Sequence, residues 1–247
     1  TYDKLILSPG AAPVRPPLEG IDSEGIFTLR NVNDTDRVKE YIEENDVKRA
    51  LIVGAGFIGL EMAENLHEYG IQVSVVEMAD QVMTPVDYEI ATVVHQHFKS
   101  KGVGLHLQEA VTAFRPVEDG IDVVLKSGLV LQVDMVVLSI GVRPDVKLAR
   151  EAGLEIGETG GIKVNEFLQT SHPDIYAVGD AIEFPNPVSG RPSLAFLAGP
   201  ANKQGRICAD NVVNGNHQKY RGSISTAIAK VFDLTVGATG VSAKMLD

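Results

Sequence analysis

An α/β fold built on dinucleotide-binding units is predicted by three features of the sequence. The apolar run Leu51-Ile52-Val53 breaks into Gly54-Ala55-Gly56-Phe57-Ile58-Gly59 and then into a helical pattern, the order strand, tight turn, helix. A second strand pattern, Gln72-Val73-Ser74-Val75-Val76, ends on an acidic residue, Glu77, 23 residues after Gly54. The stretch Tyr2 to Pro13 recurs in Val133 to Pro144 at an offset of 131, with Asp, an apolar run, Ser, Gly and Pro in register. Two similar nucleotide-binding units sharing one architecture would leave this trace.

Each glycine of the turn has its own task. Gly54 permits the tight turn, Gly56 lets backbone approach a pyrophosphate without a Cβ in the way, and Gly59 allows the helix to pack closely on its strand. The phosphates then meet the positive N-terminus of the helix. A lone pattern of this kind is weak in a chain with 24 glycines, where an ordinary glycine-rich turn is the alternative. Context favours the dinucleotide site. Arg49 and Ala50 extend the preceding strand, Ile58, Met62 and Leu66 recur at four-residue spacing on the helix, and Gly70 supplies its end. Glu77 stands where a carboxylate accepts hydrogen bonds from an adenosine ribose.

Taken in order, the chain begins at Thr1 with Lys4-Leu5-Ile6-Leu7, a buried strand pattern with no partner strand before it, so a preceding segment is expected. From Ala12 to Glu24, prolines and glycines describe a linker. Asp34 to Ile42 reads as a short amphipathic helix leading into the Leu51 strand. After Glu77, Pro85 is expected to start a helix through Lys101 with Ile90, Val94 and Phe98 inward. Leu105 and Leu107 mark a strand. Val111 to Val133 alternates apolar residues around Glu118-Asp119-Gly120 and Lys126-Ser127-Gly128, a β-meander feeding the buried strand Met135 to Ile140. Residues 35–145 are thus expected to form one βαβ unit. Downstream, Ile175-Tyr176-Ala177-Val178 is a short strand stopping at Gly179-Asp180. A helix is expected from Pro200 to about Val213, ending before Gly215, and Ser225 to Ile228 with Val231-Phe232 turns to β residues.

Composition narrows the function classes. The 247 residues carry 22 Lys and Arg against 33 Asp and Glu, a net charge of −11 without a long basic run, which argues against nucleic acid as a partner. No apolar stretch approaches the roughly 18 residues of a spanning helix, so a soluble, cytoplasmic protein without a membrane partner is expected. The one cysteine, Cys208, fits a reducing compartment. It shares a helix face with Gln204 and Val212 well past the helix start, which favours a structural thiol over a nucleophile. The six histidines show no metal-ligand spacing and no metal site is expected.

Three separated signatures, Gly54 to Glu61, Ser139-Ile140-Gly141-Val142-Arg143-Pro144 and Thr170-Ser171-His172-Pro173-Asp174-Ile175-Tyr176-Ala177-Val178-Gly179-Asp180, resemble the FAD-dependent pyridine nucleotide-disulfide oxidoreductases over nearly the whole chain. Within that family Thr84-Pro85-Val86-Asp87 and Leu197 to Arg206 look most like the coenzyme A disulfide and persulfide reductases, with NADH oxidases and peroxidases close behind. The resemblance implies a Rossmann-like NAD(P)-binding domain inserted in a second, FAD-type domain, with the start of an α+β interface domain. The boundaries expected are 1–34 for the end of the first FAD segment and linker, 35–145 for the NAD(H) domain, 146–215 for the second FAD segment and 216–247 for the interface domain.

It also implies roles. Gly54, Gly56, Phe57, Ile58, Gly59, Glu77 and Gly141 match NAD positions. Ser8, Gly10, Arg30, Asp180, Leu197 and Ala198 match positions around FAD, Asp180 as acceptor for the ribityl chain. By itself Asp180 would be a turn residue, and the helix near Ala198 a packing helix with a proline near its start. Phe57 matches an aromatic, often tyrosine, that covers the flavin and moves when nicotinamide enters. Glu61, alone a solvated helix glutamate, matches one that pairs with a lysine near the flavin. The implied intact enzyme is a homodimer passing hydride from NADH to FAD and electrons on to a cysteine sulfur that reduces a small disulfide or persulfide, coenzyme A-linked among the candidates. That cysteine is expected before Thr1, which leaves the chain alone inactive. An oxidase or peroxidase of the same family and a non-catalytic NAD(H)-binding module are the alternatives.

Overall fold

A computed structural model describes residues 1–243, which divide into two compact units, each built around its own sheet structure. The larger unit comprises Pro13–Gly141 and Ile228–Val236, with residues from Ser242. Its centre is a five-stranded parallel sheet in the spatial order Ile26–Thr28, Met135–Leu138, Arg49–Val53, Gln72–Glu77, Gly104–Leu107. The chain enters at the edge strand Ile26–Thr28, skips one place to Arg49–Val53, moves outward through Gln72–Glu77 and Gly104–Leu107, and returns to place Met135–Leu138 in the gap. The order therefore reverses between Arg49–Val53 and Met135–Leu138, and the carboxyl ends of those two strands flank a topological switch point.

Both faces of the sheet are covered, as a parallel sheet requires. Leu51 and Val53, with Val76, Val136 and Leu138, share a core with Phe114, Val123 and Leu125 of the antiparallel meander Val111–Val117, Gly120–Leu125, Val130–Val133. Helices Phe57–Glu68 and Tyr88–Ser100 pack on the strands Arg49–Val53, Gln72–Glu77 and Gly104–Leu107. Helix Val32–Glu44 is opened by a capping box in which Asn31 and Asp34 satisfy each other's backbone N–H.

Several expectations change. Ile26–Thr28, a stretch with no element expected from the sequence, is a sheet strand, and the linker before it docks on the meander, where Phe114 N–H bonds to Glu19 O at 2.8 Å. Pro85 does not start the next helix. Val86 N–H bonds back to Met83 O (2.9 Å), closing a tight loop, and the helix begins at Tyr88 after an extended Asp87. Its phase shifts accordingly: Ala91, Val94, His95 and Phe98 are buried, while Ile90 is half exposed. On Phe57–Glu68 the buried positions are Gly59, Leu60, Ala63, Glu64 and Leu66. Ile58, expected inward, is 42% exposed, because a glycine, not a large apolar side chain, meets the strand in the first turn.

The end of a hairpin, residues 228–236, belongs to this unit from far along the chain. Strands Ala227–Val231 and Leu234–Ala238 are joined by Phe232 and Asp233. Phe232 has φ +53°, a backbone an aromatic residue adopts only at some cost. It is held by edge-on contacts to His67, His97 and Phe98. Glu64, buried on the glycine-turn helix, accepts from Phe232 N–H (2.9 Å) and Lys230 Nζ (2.7 Å).

The smaller unit comprises Thr1–Ala12, Val142–Ala227 and Gly237–Val241. Leu5–Leu7 pairs in parallel with Ile175–Ala177, and a three-stranded sheet runs Ile162–Lys163, Ile182–Pro185, Pro192–Ser193. The partner of the first strand thus lies downstream. With one partner strand among the described residues, the strand is only partly buried, and Ile6 is 41% exposed. Helix Ala198–Asn214 starts two residues before Pro200 and ends at Gly215 with φ +83°. The recurrence at offset 131 is structural: Leu5–Leu7 and Met135–Leu138 are both parallel strands, Gly10 and Gly141 both have positive φ (+74° and +101°), and Ala11–Pro13 pairs with its own counterpart Val142–Pro144.

At the amino ends of the larger sheet's strands, Asp134 accepts from Lys48 N–H (2.8 Å), Arg49 N–H (2.7 Å) and the Arg49 guanidinium (2.6 Å). Burial alone would push this carboxyl up, but the guanidinium and the two N–H groups outweigh it and hold it below the usual range. A depressed carboxylate stabilises the fold above its unfolded value and loses that contribution as pH falls through the folded value. Urea denaturation is therefore expected to show stability falling below about pH 4. Asp134→Ala should cost about 2–4 kcal/mol at neutral pH by stranding Arg49 and two backbone donors.

Candidate functional site

The glycine turn shows a different constraint at each glycine. Gly54 has φ +100°, and a Cβ there would lie 2.5 Å from the Ser139 carbonyl oxygen. A Cβ on Gly59 would lie 2.0 Å from Gly54 O and 2.6 Å from Ser139 Oγ. Gly56 has open space where its Cβ would be. Two of the glycines are therefore required by packing, and the third faces a vacant volume at the switch point. Gly56 is also the N-cap of helix Phe57–Glu68, and no side chain bonds to the helix's first turn. The terminal N–H groups that every helix leaves unpaired are consequently available to an anion.

Glu77 is fixed beside this turn. One carboxylate oxygen accepts from Ala55 N–H at 2.7 Å and the other from Ala79 N–H at 2.9 Å. A carboxylate has about four acceptor positions, so each oxygen keeps capacity for a hydroxyl donor. Gly141, with φ +101° and an open Cβ direction, ends the adjoining strand's exit. Phe57 is half buried at the helix start, whereas Ile58 and Glu61 are exposed. Thus Gly54, Gly56, Phe57, Gly59, Glu77 and Gly141 are brought together at the switch point, with Ile58 on the outer face of the same first turn.

Ser139 stands in one of the quoted signatures, but nothing in the sequence assigns it a role. Its Oγ lies 3.0 Å from Val53 O and 2.8 Å from Gly54 O, so the hydroxyl latches the turn to the neighbouring strand. Only its place in the recurrent Ser-x-Gly motif could have marked it.

Arg30 belongs to the larger unit. It is exposed, and its N–H bonds to Asp34 Oδ2 (2.9 Å) at the start of helix Val32–Glu44. The remaining candidates lie in the smaller unit. Because Leu5–Leu7 and Ile175–Ala177 run parallel in register, their carboxyl ends place Ser8, Gly10 and the turn Gly179–Ala181 along one edge. Asp180 in that turn is half buried, and burial pushes its carboxyl up. Among the described residues nothing hydrogen-bonds to its carboxylate. Leu197 is the N-cap of helix Ala198–Asn214, whose first turn also has no side-chain cap. Gln204, a residue the sequence patterns did not single out for a site, joins these parts: its Oε1 accepts from Gly179 N–H (2.7 Å) and its Nε2 donates to Tyr220 Oη (3.0 Å).

Cys208 is fully buried in mid-helix, and burial pushes its thiol up to about 11. Among the described residues no group of three His, Cys, Asp or Glu side chains is placed to hold a metal, and no helix is long and apolar enough to cross a membrane.

The family model for pyridine nucleotide-disulphide oxidoreductases matches residues 1–202. The chain belongs to this family. Among curated relatives it is 39% identical over 243 residues to the NADH oxidase of Methanocaldococcus jannaschii, covering 98% of this chain and 54% of that protein. The structure of reduced Bacillus anthracis CoADR-RHD superposes with a TM-score of 0.96 at 51% identity, covering 99% of this chain and 44% of the other. That of a NAD-dependent persulfide reductase from A. fulgidus superposes at 0.95 and 40% identity, covering 99% and 45%. This member of the oxidoreductase family thus spans about half the length of such relatives, and its α/β, Rossmann-type architecture is theirs.

The glycine geometry separates folding from binding. Gly54→Ala should lower stability by about 2–3 kcal/mol or more, since it combines positive φ with a backbone clash. Gly56→Ala should leave the urea midpoint nearly unchanged while weakening NADH binding measured by calorimetry, because the added methyl occupies only the vacant volume.

Proposed function

We propose that this chain carries the NAD(H) site and part of the FAD site of an NADH-dependent flavoprotein reductase that acts on a small disulfide or persulfide, coenzyme A-linked in the first instance. The observation that carries the reading is Glu77, pinned by Ala55 N–H to the turn whose middle glycine faces open space. An adenosine ribose would donate its hydroxyls to Glu77. The pyrophosphate would lie over Gly56 against the first-turn N–H groups of Phe57, Ile58 and Gly59. Phe57 would border the nicotinamide end, with Gly141 leaving backbone room beside it.

The smaller unit fits a flavin nucleotide. Asp180 offers a half-buried carboxylate with no protein donor among the described residues, suited to ribityl hydroxyls, and the start of helix Ala198–Asn214, without a side-chain cap, offers partial positive charge. Ser8 and Gly10 stand along the same edge. FAD held there would supply two-electron transfer between nicotinamide and a sulfur. Leu197 and Ala198 would place the helix start, and Arg30 and Glu61 are assigned by family position. A cytoplasmic homodimer with the domain boundaries given above, including an interface domain from 216, belongs to the same proposal.

A second acceptor class, oxygen or peroxide, is favoured by the name of the M. jannaschii relative. In the full-length enzyme, NADH consumption coupled to free-thiol formation from a disulfide or persulfide supports the first reading. Consumption coupled only to oxygen uptake supports the second.

Two results are expected. NADH should bind more tightly than NADPH, because a carboxylate about 4 Å from a 2′-phosphate charge costs on the order of 4 kcal/mol at intermediate dielectric before solvent screening reduces it. Glu77→Gln should narrow the difference, and equal calorimetric affinities in the parent chain would refute the assignment. Cys208 should not be the redox thiol. Cys208→Ala in the full-length enzyme should keep turnover within a few-fold, and a loss of about a hundredfold, or 2.7 kcal/mol of barrier, with folding intact would place the nucleophile in this chain.

A further inference from the structure

The segment between Glu77 and helix Tyr88–Ser100 has no regular secondary structure, yet Gln81, Val82, Met83 and Val86 are buried. Met83 adopts φ +49°, a backbone that needs outside support in a non-glycine residue. Two contacts supply it. Met83 N–H donates to Ala55 O of the glycine turn at 2.9 Å, and Val82 N–H donates to Nε2 of His95 at 3.1 Å. Gln81 Nε2 closes the loop by donating to Val86 O (2.9 Å).

His95 is 8% exposed on the inner face of its helix. With Nε2 accepting, the ring must be neutral and carry its proton on Nδ1. Burial disfavours the imidazolium, Lys99 one turn along the helix disfavours it further, and Asp80 on the loop favours it, with a lowered value as the outcome. The Tyr88 ring stands edge-on at 6.2 Å. A protonated Nε2 would present a second donor to the Val82 N–H, turning a hydrogen bond into a repulsion next to the support of Ala55.

We propose that neutral His95 is a positioning residue for the nucleotide site: through Val82 N–H it seats the 78–87 loop against the glycine turn, and protonation of the ring unseats the loop. The effect on nucleotide affinity rests on the NAD(H) reading above. The effect on the loop does not. Since the seated loop holds His95 neutral, it binds fewer protons than the unseated loop. Seating is therefore complete above the ordinary imidazole value of about 6.5 and is lost as pH falls through the lowered value.

Two measurements on the purified chain test this. By NMR hydrogen exchange, protection of the Val82 and Met83 amides should fall between about pH 7.5 and pH 5.5 in the parent chain, while amides in strand Arg49–Val53 keep theirs. His95→Gln, whose carbonyl oxygen accepts the same bond without titrating, should remove the pH dependence. NADH affinity should weaken over the same interval in the parent, by at most about tenfold, stay flat in His95→Gln and be weak throughout in His95→Leu. An identical pH slope in the parent and in a folded His95→Gln overturns the proposal, as does full parental affinity in His95→Leu. If His95→Leu does not fold, the Gln variant decides alone. If the parent binds no NADH, the function reading falls and the amide protection still decides the role of His95.

Discussion

The approach of the Gly54 turn to Ser139 is the constraint on which the larger unit depends. Two adjacent parallel strands end side by side, and the chain leaving one of them passes so close to the other that no Cβ fits at Gly54 or Gly59. Ser139, 85 positions away, contributes both the carbonyl that enforces the close approach and the hydroxyl that bonds across it. Once this contact is made, the start of helix Phe57–Glu68 is aimed at the point where strand order reverses. Glu77 and Met83 then take their positions from the same residue, one through Ala55 N–H and the other through Ala55 O.

What distinguishes structural polar groups from ligand-facing ones is whether the protein satisfies them. Glu64, Gln81, His95, Gln204 and Asn211 are buried and all have protein partners, as burial demands. Glu183, likewise buried, accepts from the Thr159 N–H and hydroxyl at 2.6 Å each. Asp180, only half buried, has no protein donor among the described residues, and the first turns at Phe57 and Ala198 carry no side-chain cap, a trait they share with helices Tyr88–Ser100 and Lys147–Glu151. What sets Asp180 and these two helix starts apart is their place at the strand ends, where water or a ligand can meet them. They occur where the strands' carboxyl edges open, in keeping with the location of ligand sites in sheets of this kind.

The parts of the fold that were legible in the sequence are those governed by local rules. The glycine spacing, the acidic end of the second strand and the alternation of the meander each report a backbone requirement within a few residues. The helix faces were misjudged where a long-range contact set the phase. Ile58 looks like a core residue by spacing, but the strand is met by Gly59. A helix beginning at Pro85 would turn Ile90 inward, whereas the Met83–Val86 loop delays the start to Tyr88. Ile26–Thr28 is too short to show a pattern and is a strand only because Met135–Leu138 offers it an edge. Ser139, Gln204 and His95 act through partners 13 to 85 positions away, a distance no periodicity spans.

The internal repeat explains the exposed edge of the smaller unit. At the offset of 131, Leu5–Leu7 corresponds to Val136–Leu138, and the pairing register carries over: Leu5 faces Ile175 as Val136 faces Ile26, and Leu7 faces Ala177 as Leu138 faces Thr28. Ile175–Ala177 is therefore the counterpart of Ile26–Thr28. In the larger unit the opposite edge of Met135–Leu138 is taken by Arg49–Val53, the strand that enters the glycine turn, and Val137 is fully buried. Among the described residues no strand takes the corresponding edge of Leu5–Leu7, and Ile6, the counterpart of Val137, is 41% exposed. Ser8 stands where Ser139 stands, with its hydroxyl exposed instead of latching a turn. The Asp180 carboxylate lies just beyond the end of Ile175–Ala177, the strand paired with Leu5–Leu7.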